Sequence, residues 1–361
     1  MTATDLLKSR PYAPTAAEKR SKLLAGLNEL TEHHRKNCAP YDRIVRALFN
    51  GVGAAGQLST VPWLPVQLFK RAELMSVPRE QIVKTLISSG TSGQAPSRIF
   101  LDRETASSQA RILATIAGDF LGKARMPMLI IDDASFLRDR TRFNARAAAI
   151  LGFSSLGRDH FYLLDERLRP DWDALSTFLD SHRNMPILLF GFTFIIWQSF
   201  VEAARAEGRH FRFPEGSVLV HGGGWKRLEA RKVSGEAFKA ALTEHFGIER
   251  IHNYYGMVEQ VGSIYFECEQ ARLHTPAYSE IIIRDPVSLE PLLNGEAGLV
   301  QVLSLLPRSY PGHSLLTEDL GTIIGEDDCP CGRNGKSFRV HGRLKNVEMR
   351  GCSDTRPVLA A

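Results

Sequence analysis

A loop rich in glycine and hydroxyl residues, 88–93, lies between two segments predicted to be strands. Consecutive backbone N–H groups and hydroxyls in such a loop can bind an anion such as a phosphate group. The loop is not a Walker motif, because no Gly-Lys-Ser or Gly-Lys-Thr follows it. An ordinary flexible hairpin is the alternative interpretation.

Two glycine-containing stretches further along could contact a flat ligand. A predicted strand ends in the glycines 222–224, in SVLVHGGG, and glycines at the carboxyl end of a strand let a ligand approach the backbone. Esterases use a similar HGGG loop, but no G-x-S-x-G motif follows it, which argues against a serine hydrolase. In YGMVE, Tyr255 offers a stacking ring, Gly256 a permissive backbone and Glu259 a carboxylate suited to Mg²⁺. A surface turn with a core tyrosine is the alternative.

Two charged stretches lie closer to the C-terminus. Asp319 follows a strand-like run in SLLTEDLG, where a carboxylate can accept hydrogen bonds from two ribose hydroxyls. Arg343 belongs to the stretch RVHGRLKNVEMRGCSD. Taken singly, each of these charges could be a solvated loop residue.

The cysteines form a separate candidate site. There are five, and an odd, low number argues against a disulfide framework and fits a reducing cytosol. Cys268 and His274 have five residues between them, and Cys329 and Cys331 lie in the turn CPCGR. Three thiolates and an imidazole are a tetrahedral Zn²⁺ donor set, so the sequence indicates a structural zinc site. Structural use of cysteines in turns is the alternative, and Cys38 is expected to stay unpaired in the N-terminal helical region.

The predicted elements that position these residues form an α/β protein with a β-rich part. Residues 15–50 have the apolar spacing of helix, strands and helices alternate from about residue 80, and short strands with tight turns follow residue 275. The predicted organisation has four parts: a helical N-terminal region at 1–78, an α/β core at 79–274, a β-rich subdomain at 275–342, and a hinge with a short tail at 343–361.

Composition excludes several other classes of protein. With 43% hydrophobic and 24% charged residues, the chain of 361 residues is globular. A net charge of +5 does not indicate a nucleic-acid partner. The N-terminus has no signal peptide, and Pro186 and Gly191 interrupt the uncharged run 184–201, which favours a buried strand and helix over a membrane span. We therefore expect a cytoplasmic protein.

Taken in order, the five stretches resemble the motifs of the adenylate-forming superfamily of acyl-CoA synthetases, luciferases and adenylation domains. The match runs from Ser88 to about Gly351. Within the superfamily the chain is most similar to the LuxE-type acyl-protein synthetases, in VPWLPVQLFK, SSGTSGQAPSRIFLDRETASSQ and RGCSD. The resemblance implies an adenylate-forming large domain, with mixed and parallel sheets, helices and a small β-rich subdomain, whose C-terminal lid domain is truncated to a short tail.

The resemblance also implies a role for each motif. The phosphates of ATP would be held by the first loop: Ser89, Gly90, Thr91, Ser92 and Gly93. The adenine would be lined by the next two motifs: Gly222, Gly223, Gly224, Tyr255 and Gly256. Glu259 would bind Mg²⁺, and Asp319 and Arg343 would hold the ribose. The implied reaction joins a carboxylate to ATP, giving an acyl-adenylate and pyrophosphate.

Several positions depart from the superfamily pattern. Arg98 stands near the place where many relatives have a lysine, and we expect it to supply that positive charge. Asn346 replaces the hinge aspartate, and about ten residues follow Gly351, so the lid with its catalytic lysine is expected to be absent. In the LuxE type a cysteine near the C-terminus accepts the acyl group as a thioester, which implies this role for Cys352. An inert cysteine near a frayed end is the alternative.

The acid substrate is expected beside the strand ends, where Gly191, Phe192 and Thr193 follow a predicted strand. The predicted function is thus a Mg²⁺- and ATP-dependent ligase that activates a fatty or aromatic acid and transfers the acyl group to a thiol. The thiol could be its own cysteine, a carrier protein or coenzyme A, and the family likeness suggests an acyl reductase partner. A phenylacetate-CoA-ligase-like enzyme, which shares the CPCGR-like turn, and a non-catalytic nucleotide-binding protein are the alternatives.

Overall fold

The computed structural model describes residues 3–51, 53–88, 96–138, 145–225 and 231–344. The N-terminal region is mainly helical, with one short strand: α1 (Ala3–Leu6), α2 (Ala16–Asn37), α3 (Ala39–Leu48), β1 (Leu64–Pro65) and α4 (Leu68–Arg71). Thr15 caps the N-terminus of helix α2, and its hydroxyl and backbone form a capping box with Glu18. The single helical region expected at 15–50 is divided at Cys38, where the backbone is extended.

The α/β part begins with a hairpin and continues with alternating strands and helices. Its first half contains β2 (Ile82–Ile87), β3 (Arg98–Asp102), α5 (Arg103–Leu121), β4 (Met126–Asp133), α6 (Ser135–Arg138), α7 (Ala145–Ser154) and β5 (Gly157–Leu164). Its second half contains α8 (Trp172–Ser181), β6 (Leu188–Phe192), α9 (Thr193–Ile196), a π-helical stretch (Trp197–Glu202), α10 (Ala203–Ala206), β7 (Val218–Gly222), α11 (Gly235–Phe246), β8 (Arg250–Tyr255) and β9 (Tyr265–Phe266).

Six of these strands form one twisted sheet in the order β5-β4-β6-β7-β8-β9. The pairings from β5 to β8 are parallel, and β9 is antiparallel to β8. Helices cover both faces, so β4 is buried along its whole length: Met128 and Ile130 join one apolar cluster, Leu129 and Ile131 the other. This two-sided burial explains why the central strands are continuous apolar runs.

The β-rich part is an antiparallel sheet in the order β10-β14-β13-β12-β11. Its strands are β10 (Leu273–His274), β11 (Ser279–Arg284), β12 (Ala297–Ser304), β13 (Ser314–Glu326) and β14 (Lys336–Arg343). Strand β1 of the N-terminal region pairs in parallel with β13. Helix α2 is joined to the sheet by a buried ion pair, 3.3 Å from Lys19 Nζ to Glu280 Oε2.

The predicted fold class, α/β with a β-rich part, is therefore confirmed. One local expectation was wrong: Asp319 does not follow a strand but lies inside the 13-residue strand β13. The uncharged run at 184–201 forms β6 and the helix after it, as expected. Across the described ranges, no helix has the length and apolar character needed to cross a bilayer.

Candidate active site

The carboxyl ends of β6, β7 and β8 lie side by side at one edge of the parallel sheet. Phe192 pairs with Gly222, and Gly222 pairs with Tyr254 on the next strand. Ligands of open α/β sheets bind in the crevice beyond the carboxyl ends of the strands. The topology thus brings the predicted substrate stretch, the glycine stretch and the tyrosine stretch to one crevice.

The glycines after β7 present bare backbone at this edge. A Cβ on Gly222 would lie 2.5 Å from the ring of Tyr254, so only glycine lets β7 pass against that ring. Gly223 has a φ of +76°, which favours glycine, and Gly224 has open space around it. The turn therefore offers backbone groups without side chains, as a flat ligand would require.

Tyr255, Asp319 and Arg343 come together although they belong to three different motifs. The Tyr255 hydroxyl donates a 2.7 Å hydrogen bond to Asp319 Oδ2. Asp319 pairs with Arg343 across β13 and β14, and their side chains lie 3.6 Å apart, from Oδ1 to Nε. Burial and the nearby Asp319 carboxylate hold the pKa of Tyr255 well above its usual range, so the hydroxyl stays a donor.

The Asp319 carboxylate is only partly enclosed. Its side chain is 19% exposed, and that of Arg343 is 65% exposed. Tyr255 orients one carboxylate oxygen, while the other faces the guanidinium of the exposed Arg343 across a distance longer than a hydrogen bond. An acceptor that is fixed in place and still accessible is suited to binding the hydroxyls of a sugar.

Glu259 is 8% exposed, on the 3₁₀ turn Val258–Gln260 that follows β8. Gln260 holds this turn against the β-rich part through a 2.9 Å hydrogen bond from its side-chain nitrogen to the Gly312 carbonyl. Within the described ranges, the Glu259 carboxylate makes no hydrogen bond or ion pair. A carboxylate on the turn after β8, without a cationic partner among the described side chains, offers the hard oxygen donors that Mg²⁺ prefers, so this residue fits a magnesium ligand.

The first predicted motif is described only at its two ends. Ser88 N–H donates to the Ser97 carbonyl at 3.0 Å, and Ser97 N–H donates to the Ser88 hydroxyl at 2.8 Å, which closes the mouth of the loop. The five predicted phosphate ligands lie outside the described residues: Ser89, Gly90, Thr91, Ser92 and Gly93. Strand β3, which follows the loop, contacts the turn that carries Glu259. The strand that follows the loop therefore lies against the turn of the proposed magnesium ligand.

Arg98, at the start of β3, has a carboxylate partner of its own. Its Nη1 lies 2.9 Å from Glu73 Oε1, and its side chain is 51% exposed. The predicted role as a phosphate-binding cation stays a prediction, and it would require Arg98 to exchange this partner. Cys352, the predicted acyl acceptor, lies outside the described residues.

The predicted substrate residues have different surroundings. Gly191 is closely packed, because a Cβ there would lie 2.9 Å from Ile196. Thr193 is buried, and its hydroxyl lies 2.9 Å from His221 Nδ1 and donates to the Gly222 carbonyl at 3.1 Å. Phe192 is half-buried at the crevice edge. Of the three, Phe192 is the side chain best placed to meet a ligand.

Sequence reasoning missed the part played by His221 and Tyr254. His221 ties the end of β7 to the helix after β6 through Thr193, and burial lowers its pKa to about 3, so the ring is neutral. The ring of Tyr254 packs against the backbone of Gly222, at the start of the glycine turn. Two features of the sequence could have pointed to them: His221 directly precedes three glycines, and Tyr254 directly precedes Tyr255. Their contacts depend on strand neighbours that the sequence does not specify.

The candidate zinc ligands are also brought together, away from the strand ends. The ligand atoms of Cys268, His274, Cys329 and Cys331 all lie within 4.8 Å of one another. They belong to the turn after β9, to β10 and to the turn between β13 and β14. Among the residues that the structure describes, this is the cluster of His, Cys, Asp or Glu side chains whose donor atoms lie close enough together to hold a metal ion.

Comparison with known proteins decides the family. Residues 2–357 match the family described as acyl-protein synthetase, LuxE. The chain belongs to the LuxE acyl-protein synthetase family. A LuxE-type relative, the long-chain-fatty-acid–luciferin-component ligase of Vibrio harveyi, is 24% identical over 89% of this chain and 84% of its own length. The ligase of the same name from Aliivibrio fischeri is 23% identical over 82% of this chain and 78% of its own.

Solved structures confirm the fold. An open conformation of 2-hydroxyisobutyryl-CoA ligase, in complex with its acyl-AMP and CoA, superposes with a TM-score of 0.70 at 17% identity, covering 92% of this chain and 76% of that one. The same ligase in its postadenylation state gives 0.68 at 17% identity, covering 93% and 69%. The predicted adenylate-forming fold and, at the level of the LuxE family, the predicted class of acyl-activating ligase are thereby confirmed.

Proposed function

We propose that this chain joins a carboxylic acid to ATP and then transfers the acyl group from the adenylate to a thiol. The observation that carries the proposal is the Tyr255–Asp319–Arg343 cluster beside the bare glycine turn. It offers a fixed, accessible ribose acceptor next to a surface that admits a flat base. The names of the two curated relatives favour a long-chain fatty acid as the substrate.

In the first step a carboxylate oxygen attacks the α-phosphorus of ATP, and the bond to pyrophosphate breaks. Asp319 would hold the ribose, and the glycine turn would contact the adenine. The loop 89–93 would hold the phosphates through its backbone N–H groups and hydroxyls. Glu259 would hold Mg²⁺, which would stabilise the charge that develops on the leaving pyrophosphate.

In the second step a thiolate attacks the carbonyl carbon of the acyl-adenylate, AMP leaves, and a thioester forms. We propose Cys352 as this nucleophile, since the family likeness places the acceptor cysteine at that point of the sequence. The thiol proton passes to solvent. A thioester on the protein would be a suitable donor to a separate acyl reductase, and a cytoplasmic setting would keep the thiol reduced.

The test uses the full chain, ATP, Mg²⁺ and radiolabelled fatty and aromatic acids. Three proteins are compared: wild type, Cys352→Ala, and Cys38→Ala as the matched control, because Cys38 is buried in the helical region. All three should form acyl-adenylate. Wild type and the Cys38 variant should also carry label that neutral hydroxylamine releases, whereas Cys352→Ala should not.

The other outcomes are equally informative. Equal labelling of Cys352→Ala contradicts the acceptor assignment but leaves adenylation standing. Adenylate without protein label, converted to a free thioester only when coenzyme A is added, supports the CoA-ligase alternative. If no acid gives adenylate in the wild type, the proposed function is wrong and the non-catalytic alternative gains.

A further inference from the structure

We propose that Cys268, His274, Cys329 and Cys331 bind one Zn²⁺ ion in a closed, structural site. The donor geometry supports this assignment. The sulfurs of Cys268 and Cys329 are 3.8 Å apart, and the Cys331 sulfur is 3.4 Å from His274 Nε2. A tetrahedral zinc site with ordinary bond lengths has sulfur–sulfur edges of about 3.8 Å and sulfur–nitrogen edges of about 3.5 Å. The observed separations are therefore those of ligands around one ion.

The same separations argue against a disulfide. A disulfide bond joins sulfurs about 2.0 Å apart, and the 3.8 Å between Cys268 and Cys329 is far longer. The described cysteines are all free thiols. The three thiols are packed together with little exposure, and none of them forms a disulfide. They are therefore available as metal ligands.

The backbone turns at Cys268 and at Cys329–Cys331 have the form of metal-binding knuckles. The N–H of Gln270 donates to the Cys268 sulfur at 3.3 Å. The backbone N–H groups of Cys331 and Arg333 likewise point at the sulfurs of Cys329 and Cys331. Each sulfur thus receives the N–H group two residues further along, which orients it and stabilises negative charge on it. Gly332, with a φ of +77°, permits the sharp turn after Cys331.

An arginine lies beside the thiols and offsets their charge. Three thiolates around Zn²⁺ leave a net charge of −1, and the Arg333 side chain hydrogen-bonds toward Cys331. Asp119 and Glu269 hold this guanidinium at 3.1 and 3.0 Å, and it stacks 4.0 Å from the centre of the Phe120 ring. A positive charge held beside the cluster would offset the net negative charge of three thiolates around Zn²⁺.

The position of the cluster indicates a structural role. Asp319 pairs with Arg343 at the open end of the β13–β14 hairpin, and the cysteines lie in the turn at its other end. Seven residues of strand separate the two, which corresponds to about 20 Å. With four protein ligands no position is open for substrate, unlike a catalytic zinc site. The ion would fasten the 268–274 segment to the β13–β14 turn.

The test is metal analysis of the full chain, purified without added metal and without a metal-binding tag. Wild type and Cys38→Ala should contain about one zinc per chain, and Cys331→Ser should contain close to none. Cobalt exchanged into the wild type should give intense ligand-field bands and a thiolate charge-transfer band, a signature that does not depend on any variant folding.

Three results would overturn the proposal. The first is a wild-type zinc content well below one per chain that added Zn²⁺ does not raise. The second is an unchanged zinc content in folded Cys331→Ser. The third is a disulfide between Cys268 and Cys329 in freshly purified protein, detected as the loss of two titratable thiols. None of these readouts depends on the acid substrate or the acyl acceptor.

Discussion

The two ends of the β13–β14 hairpin carry two different kinds of site. At the open end, Asp319 is held by Tyr255 at 2.7 Å and faces Arg343 at 3.6 Å, with part of its surface accessible. At the turn end, Cys329 and Cys331 join Cys268 and His274, with all four donor atoms within 4.8 Å. One end has polar groups that still accept a ligand, and the other has a closed set of donors.

The difference reflects what each site must do. A site that binds and releases substrates at every turnover needs accessible polar groups that make few hydrogen bonds within the protein. A structural metal site is buried, and its ligands stay together for the life of the fold. On the two proposals above, the hairpin would link a site that binds and releases ligands with a metal site whose ligands stay in place.

Removing the proposed zinc should have the largest effect. A structural Zn²⁺ stabilises only the folded state, so chelation should lower Tm by about 10 °C or more, and stoichiometric Zn²⁺ should restore it. Differential scanning calorimetry measures the change. A Tm within about 1 °C of the untreated protein would mean that the turn end is not a metal site, and the comparison would fail.

Asp319→Asn tests the open end. Losing the charged acceptor of two ribose hydroxyls should cost about 3 kcal/mol, a drop of about 100-fold in kcat/KM for acid-dependent ATP–pyrophosphate exchange. Asp180→Asn, at an exposed position of α8, is the control. Zinc content should stay at the wild-type level in both variants. Unchanged kinetics in Asp319→Asn would remove the ribose assignment.

Arg333→Gln sharpens the account of the turn end. Without the guanidinium, zinc affinity should fall about 10- to 100-fold, and Arg333→Lys should recover part of it because the charge is kept. Competition with a chromophoric chelator measures the affinity. Arg308→Gln, in an exposed pair with Glu29, is the matched control. If Arg333→Lys binds zinc no better than Arg333→Gln, the positive charge of Arg333 does not contribute to zinc affinity.

Tyr255→Phe should have the smallest effect. It removes one hydrogen bond to Asp319 and leaves the ring in place, so kcat/KM should fall about 5- to 10-fold, equivalent to about 1 kcal/mol. Tyr265→Phe is the control, since its ring lies 6.1 Å from that of Tyr255 on the neighbouring strand. Equal losses in the two variants would show that the hydroxyl of Tyr255 does not orient the carboxylate.

The sequence allowed much of this architecture to be predicted, because buried parallel strands leave unbroken apolar runs and helices between them have their own spacing. It did not predict that β13 continues through Asp319, since the polar stretch around this residue interrupts the apolar pattern of the strand. Pairing with β12 and β14 across register shifts keeps the chain extended there. Tertiary pairing thus overrode the local pattern.

Contacts between strands that are distant in sequence could not be predicted from the sequence either. The link between Thr193 and His221 depends on β6 and β7 being neighbours, which only the order of strands in the sheet establishes. The candidate zinc ligands could be named because cysteine and histidine limit the chemistry. Their assembly depends on β10 pairing with β14, which places His274 opposite Ser337, close to the cysteine turn.

Acid-dependent ATP–pyrophosphate exchange tests the central claim most directly, because it reports adenylate formation whatever thiol later accepts the acyl group. With wild-type protein, Mg²⁺ and a panel of fatty and aromatic acids, we predict exchange that requires the acid, persists in Cys352→Ala and is nearly lost in Asp319→Asn. Exchange with no acid of the panel, or equal exchange in wild type and Asp319→Asn, would contradict the account.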